Sequence, residues 1–265
     1  MIPKIIHYCW VGGNPLPKSA QKCIKSWKKY CPDYEIIEWN ESNYDFRQNQ
    51  YMKEAYEAKK WGFVPDYARL DIIYRYGGIY LDTDVELVKP LDDLLQYKGF
   101  AGFESPRFVA LGLGFGAEAG NRTIEKLMDS YEDLHFIKED GTLKLTPSPE
   151  LNTNVLMAEG LLLNNTAQTV GELSVFPTEY FCPKSFETGY ITLTENTYSV
   201  HHYDSLWYND AQQEEKLRRW RKSRKEIRQY LIWDKIFHFP NRLGIKLLGH
   251  ERYNKLKKAL GKSSE

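Results

Sequence analysis

Asp82 and Asp84, in the segment RYGGIYLDTDVEL (Arg75–Leu87), set two carboxylates two positions apart behind Gly77-Gly78 and a short apolar run. Residues two apart in an extended chain point the same way, so the pair would stand about 6 to 7 Å apart and face one side. Two anionic oxygen donors at that spacing can hold one hard divalent cation, directly or through its water. Such a cation can bridge a diphosphate and neutralise the charge that builds on it. Upstream, Asp66 and Arg69 fall at i, i+3 on one helix face, where an arginine can pin an aspartate or reach a phosphate. The plainer alternatives are a polar turn at a strand end for the pair, and a first-turn carboxylate with its ion-pair partner for Asp66 and Arg69.

Three other places could join such a site. Trp10 stands at a strand end before Val11-Gly12-Gly13, where a ring can stack on a flat ligand, although on the residues alone an ordinary core aromatic is the preferred reading. His201 and His202 would face opposite ways in a strand, so at most one can serve as a ligand with the aspartates. The glycine-rich GLGFG (Gly112–Gly116) lacks the following Lys-Ser/Thr of a phosphate loop and the Rossmann spacing; a mobile loop on the acceptor side is its milder reading. Asn152 and Asn154, in ELNTNVL, read as loop and helix-cap residues rather than as part of the site.

The elements that must position these groups alternate. A β-rich run, Pro3 to Gly13, precedes a helix over Pro17–Tyr30 with apolar residues at helical spacing, and a second strand follows at Tyr34–Trp39. This is the pattern of a βαβ unit. Helices are predicted near Asn49–Lys60 and Pro65–Tyr76, then a strand from Ile79 to Asp82 and another over Gly99–Glu104. Gly112–Asn121 is too glycine-rich for either regular element. Asn121–His135 reads as a helix, Thr146–Glu150 as a loop, Asn154–Leu163 as a short helix, and ELSVFPTEYF and TYSVHHYDSLW as late β-like runs. An α/β chain gathers the C-terminal ends of its parallel strands on one sheet edge, where ligands bind, and both aspartates fall at such an end.

Charge is unevenly spread. Residues 1–215 carry 20 Lys and Arg against 32 Asp and Glu, while 216–262 carry 16 against 3. The expected division is a catalytic body over 1–210 and a basic amphipathic helical tail over 211–265, with Leu217, Trp220, Ile227 and Leu231 on its apolar face. Contact of residues 216–260 with an anionic membrane surface is the reading preferred for the tail, a solvated helix docked on the acidic body is the alternative, and nucleic acid is not expected as a partner. The four cysteines show no zinc spacing and argue against a disulfide framework. The start of the chain shows no secretory apolar core and no window long enough to span a bilayer, so a cytoplasmic protein is expected, with peripheral placement on the inner face of the cell membrane as an option.

The stretch VPDYARLDIIYRYGGIYLDTDVELVKPLDDL strongly resembles the signature of glycosyltransferase family 32 and its relatives: an Asp, an Arg three later, Gly-Gly, an aromatic-leucine pair and DxD. IPKIIHYCWVGG resembles that family's opening strand, and HHYDSLW its closing motif. The resemblance implies a GT-A-type Rossmann-like fold, a central mixed sheet flanked by helices, here with a C-terminal helical extension. It implies Trp10 stacked on the nucleotide base, Gly12 and Gly13 allowing close approach, and Tyr80 near the ribose or uracil. Asp66 and Arg69 would lie at the sugar hydroxyls, Asp82 at ribose and sugar or on the metal through water, and Asp84 directly on the metal. His202 matches the third ligand position, with His201 its rival, and Ser205 and Trp207 would lie near the diphosphate.

The activity so implied is metal-dependent (Mn²⁺ or Mg²⁺) transfer of a hexose, with retention of configuration, from a nucleotide sugar, UDP-hexose foremost. The acceptor would be a saccharide or lipid-linked oligosaccharide, as in bacterial surface polysaccharide synthesis. A haloacid-dehalogenase-like phosphatase is the first rival, but such enzymes favour Thr or Val where this chain has Glu86, and an N-terminal βαβ is out of place in them. A non-catalytic nucleotide-binding scaffold is the second.

Overall fold

The protein, here a computed structural model, is described over residues 1–205 and 208–248. The expected βαβ opening forms: β1 (Ile5–Cys9), α1 (Lys18–Tyr30) and β2 (Glu35–Trp39), with β1 and β2 parallel from Ile5 opposite Glu35 to Cys9 opposite Trp39. Ala20, Cys23, Ile24 and Trp27 recur at three- and four-residue intervals and form the buried stripe of α1. Asn49 caps α2 (Gln50–Glu57), its side chain accepting from Met52 N.

α3 (Pro65–Tyr76) opens on a proline at its first turn, which needs no hydrogen-bond donor there. Asp66, Ala68, Arg69, Leu70, Asp71, Ile72 and Ile73 of this helix are all buried, so it is enclosed on most sides and its charged residues must find partners inside the protein. It stops at Gly77, whose φ of 64° is costly for any other residue.

β3 (Gly78–Tyr80) follows, then β4 (Val85–Leu87), a single 3₁₀ turn, β5 (Gly99–Ser105), β6 (Phe108–Ala110), β7 (Phe115–Ala117), α4 (Arg122–Asp129) and α5 (Ser148–Ala158). β8 (Gln168–Val170), β9 (Leu173–Phe176), the short α6 (Thr178–Phe181), β10 (Ser199–His201) and α7 (Asp210–Leu248) complete the order. The main sheet runs β2-β1-β3-β7-β5-β9-β8, with β6 added on β5, and β10 and β4 make a separate antiparallel pair. β1/β2, β1/β3 and β5/β9 are parallel, while β3/β7, β5/β7, β5/β6 and β8/β9 are antiparallel. The α/β mixed sheet flanked by helices is therefore as expected.

Several expected elements shift. The strand predicted to reach Asp82 ends at Tyr80. The stretch set aside as too glycine-rich contains β7, at the centre of the sheet, because a side chain at Gly116 would collide with the Phe100 ring and the Gly78 carbonyl. α5 begins inside the predicted TPSPE loop, its prolines falling where helices tolerate them, and α4 stops at Asp129, six residues short. Proline 177 closes β9 and hands ELSVFPTEYF to a helix.

By its contacts the chain forms two compact units: 1–186 with 191–211, and 187–190 with the helix from Gln212 onward. In the first, Glu54 of α2 fixes the chain beyond α4. Its carboxylate accepts from Phe136 N (2.7 Å), Ile137 N (2.9 Å) and Gln50 Nε2 (2.7 Å), and meets His135 Nδ1 at 2.9 Å. Burial by itself would raise its pKa, but these donors outweigh burial and hold it from the usual 4.5 down to about 2. A depressed carboxylate pKa gives stability that is present above 4.5 and lost as pH falls towards 2. Glu54→Gln is expected to cost roughly 2 kcal/mol at neutral pH by urea unfolding, the gap from wild type closing between those two pH values.

Candidate active site

Asp82 and Asp84 lie in a β-turn rather than in a strand, because Val85 N donates back to Asp82 O at 3.0 Å. The extended-chain geometry expected of the pair therefore does not apply. The turn is clamped from both sides. α1 holds its exit, Trp27 Nε1 donating to Val85 O (2.7 Å) and Ser26 Oγ accepting from Leu87 N (2.9 Å). β10 pairs with the same residues, His201 opposite Val85 and Val200 opposite Glu86, and His202 N donates to Asp84 O at 2.9 Å.

The alternation of β10 decides between the two histidines. His201 Nε2 lies 3.1 Å from Asp84 Oδ1. His202 turns to the other face and meets Glu86 Oε2 at 2.7 Å. The expectation for His202 as third ligand is thus corrected to His201: Asp82, Asp84 and His201 place one ligand-type atom each within 4.8 Å of the others. The remaining Asp84 oxygen accepts from Asp204 N at 2.9 Å. Asp204 is bracketed by Tyr203 and Ser205, both at positive φ (57° and 49°), a costly conformation for such residues that recurs at functional sites. Sequence reading gave no sign of this strap.

Electrostatics tie the groups together. Burial works against the charged forms of Asp84 and His201, but each opposes it in the other: His201 and the Asp204 N–H hold Asp84 down to about 2, and Asp84 brings His201 up to about 8. Asp82 is raised by burial, against the pull of Arg69. Arg69 itself is buried; its Nη2 meets Asp66 Oδ1 at 2.5 Å, its Nε donates to Pro65 O at 2.9 Å, and its Nη1 lies 3.4 Å from Asp82 Oδ2. Burial raises Asp66 to about 6 despite Arg69 and a hydrogen bond from Ser148.

Three carboxylates thus share one guanidinium and one imidazole. Two carboxylates suit Mn²⁺ or Mg²⁺ as donors, an imidazole beside them favours Mn²⁺, and the buried His201 Nδ1 has no hydrogen-bond partner. The residues fit a divalent cation.

A cleft of about 860 Å³ connects this cluster to an aromatic side. Trp10 and Trp61 line it together, with Trp10 Nε1 donating to Asn14 O at 2.5 Å. Neither Gly12 nor Gly13 lines it: a side chain at Gly12 would strike the Trp61 ring, and Gly13 faces open space. Gly12 therefore makes room for a neighbouring indole, contrary to the expected close approach to a ligand. Tyr80 is fully buried beneath Arg69, with the guanidinium 5.4 Å from its ring centre, so it forms floor rather than an open stacking face. Ser205 lines the cleft, and Trp207 lies outside the described residues. Asn152 is buried within α5, Asn154 is exposed, and neither lines the cleft.

Sequence reading also missed Gly112. A side chain there would come within 2.2 Å of Asp82 Oδ2 and 2.9 Å of Arg69 Nη1, so only glycine lets this backbone close over the ion pair. The GLGFG run is accordingly a wall of the cleft, with Gly112 and Leu113 lining it and Leu113 buried. Its sole signal was the glycine density itself. A second hollow, about 440 Å³ and lined by Glu41–Arg47 with Tyr56, contains none of these groups.

Residues 17–101 match a family model described as "Glycosyltransferase sugar-binding region containing DXD motif", which bears out the resemblance over that stretch. Similar proteins include "Inositol phosphoceramide mannosyltransferase 3" of Schizosaccharomyces pombe, 35% identical over 41% of this chain and 32% of that protein. "Mannosyl phosphorylinositol ceramide synthase SUR1" of Saccharomyces cerevisiae is 32% identical over 42% and 30%. The chain thus spans about a third of the length of these relatives. A solved structure described as "PaToxG Glycosyltransferase" aligns with a TM-score of 0.48 at 23% identity, over 60% of this chain and 69% of that one.

The two histidines separate in a binding measurement. His201→Ala is expected to weaken Mn²⁺ binding by roughly tenfold or more in calorimetry, whereas His202→Ala, which removes only the Glu86 contact, stays within about twofold.

Proposed function

We propose that this chain transfers a hexose from a nucleoside-diphosphate sugar to a hydroxyl acceptor, with a divalent cation, Mn²⁺ or Mg²⁺, at Asp82, Asp84 and His201. The observation that carries the reading is one cleft joining an acidic and imidazole cluster, a caged arginine and an indole-lined side. When bound, the cation supplies charge neutralisation at the leaving diphosphate. Arg69, fixed by Asp66, adds positive potential beside Asp82. Asp66 keeps that guanidinium in place and offers its free lone pairs to sugar hydroxyls. Trp10 offers an indole face to the base, and Ser205 a hydroxyl towards the diphosphate. The body over 1–210 carries this chemistry in our reading, and 211–265 is an extension with its own role.

UDP-hexose remains the preferred donor. The relatives' names supply mannose as the sugar to test alongside it, and they support a lipid-borne acceptor over the bacterial surface polysaccharide expected from sequence. Among the described residues no helix is long and apolar enough to cross a membrane; a cytoplasmic site of action is part of the proposal. Transfer proceeds with retention by front-face attack of the acceptor hydroxyl, whose proton passes to the leaving phosphate. The acidic residues lining the cleft are Asp66, held by Arg69; Asp82 and Asp84, set around the cation; and Glu104, partly exposed at the end of β5.

The deciding experiment is a panel of UDP-glucose, UDP-galactose and GDP-mannose scored for nucleotide release with and without Mn²⁺. Metal-dependent release, lost by a factor of about a hundred or more in Asp84→Asn, supports the proposal. Release of phosphate from a generic phosphomonoester in its place would favour the phosphatase, and UDP binding without turnover the scaffold. Gly112→Ala is expected to lose activity by a similar factor through displacement of Asp82 while its circular dichroism stays native. Front-face attack further requires that no hexosylated enzyme accumulates. A covalent sugar on Glu104 found by mass spectrometry would replace it with double displacement.

A further inference from the structure

The tail helix was expected to use Leu217, Trp220, Ile227 and Leu231 as an apolar face, and the structure assigns that face differently. Trp220 is buried, and a side chain added at Gly189 would collide with its ring. Arg224 donates to Gly189 O at 3.2 Å, closing the same contact. Ile227 is half-buried, Leu217 is exposed, and the side chain of Leu231 lies outside the described residues. The indole is therefore consumed within its own unit by 187–190 and is not available to enter a bilayer.

The opposite side of the helix is mainly basic, beginning one turn after the exposed Glu214. Arg218, Arg221, Lys222, Lys225 and Arg228 follow at i, i+3, i+4, i+7 and i+10, and all five are exposed. At 100° per residue they fall within roughly 120° of one another, centred away from Trp220, in a row about 15 Å long. The acidic residues Glu215 and Glu226 sit together on one flank, where Glu226 approaches Lys222 at 4.0 Å; both groups are exposed and the pair is weak. Residues 216–262 hold 16 basic against 3 acidic side chains, while 1–215 are acidic.

We propose that this row is a docking surface for an anionic lipid bilayer, bound by adsorption of its charges and not by insertion of an apolar face. A straight, one-sided row matches a plane of mobile negative headgroups, which can gather under it. A helix lying in a nucleic-acid groove meets phosphates on both flanks, and here one flank sets Glu215 and Glu226 beside Arg219 and is not uniformly basic. The exposed Tyr230 of this helix lies off the row, beyond the flank that carries Glu215 and Glu226, so the row itself offers no ring on which a base could stack. The acidic body is repelled by the same lipid surface, which confines contact to the extension. The inference does not depend on the sugar-transfer reading: it concerns where the protein resides, and it stands or falls without any turnover.

The test is co-sedimentation of the full chain with phosphatidylcholine vesicles, with and without about 30 mol% phosphatidylserine, at about 0.1 M salt. Wild type is expected to sediment with the anionic vesicles alone and to be released at high salt. Each neutralised near-surface charge is worth roughly fivefold in partition, so Arg218→Gln/Arg221→Gln/Lys225→Gln is expected to bind about a hundredfold more weakly. Leu217→Ala should bind as wild type does. Nucleotide release measured on the same triple variant, with soluble donor alone, should be unchanged. Equal sedimentation with both vesicle types, or binding by the triple variant at the wild-type level, overturns the proposal. So does a marked loss of binding in Leu217→Ala, which would restore insertion, or tighter binding to a short DNA duplex than to vesicles at the same salt.

Discussion

A buried guanidinium is the constraint on which the rest of the site depends. Arg69 sits in a helix enclosed on most sides, and a charge there is tolerated only with its counter-charges in place. Asp66 takes one edge of the fork, Asp82 faces another, Pro65 O accepts from Nε, and Tyr80 lies beneath. Removing one partner of such a pair costs roughly 3 to 5 kcal/mol, because it strands the other charge. Helix α3, the DxD turn and the backbone at Gly112 are thereby fixed to one another. Asp82 cannot move without exposing the arginine to an uncompensated interior, and Gly112 must stay bare for the two to meet.

The second aspartate obeys a different logic. Asp84 is held by His201 and the Asp204 N–H rather than by Arg69. Each aspartate thus has its own cationic or donor partner, which explains how two like charges can close a tight, half-buried turn. The compensation remains incomplete: three carboxylates face two cationic groups, and His201 retains a buried nitrogen without a partner. A divalent cation beside Asp82 and Asp84 would offset the surplus of negative charge. The strained backbone at Tyr203 and Ser205 is where the fold bears the cost of bringing Asp204 into range.

Much of this was legible beforehand. The βαβ opening follows from apolar spacing alone, and the limits of α3 from Pro65 and Gly77. Asp66, Arg69, Asp82 and Asp84, singled out by type and spacing, line one cleft together with Trp10, which the family resemblance singled out. What failed did so for identifiable reasons. Glycine density concealed β7, because a glycine that yields to a neighbouring ring looks in sequence like a glycine that makes a turn. His202 was preferred to His201 by position in a motif, and a one-residue step in a strand reverses the face on which a side chain lies. In the tail, the apolar face was recognised in part, but what it packs against was not.

The sequence by itself determined which charges are present, in what order, and on which kind of element, since these depend on local spacing and on turn and capping residues. It also determined the split between an acidic body and a basic extension. Tertiary structure alone decided which groups meet. Gly112, Trp61 and the pair His201 and Asp204 come from three separate stretches, and each is brought to the site through a contact that no local pattern encodes: a missing side chain over Asp82, an indole against Gly12, and, for the pair, the register of β10 on β4 with a backbone N–H on Asp84. Long-range register and close packing arise when the chain closes on itself, and a linear pattern carries only the tendency of each segment to take part.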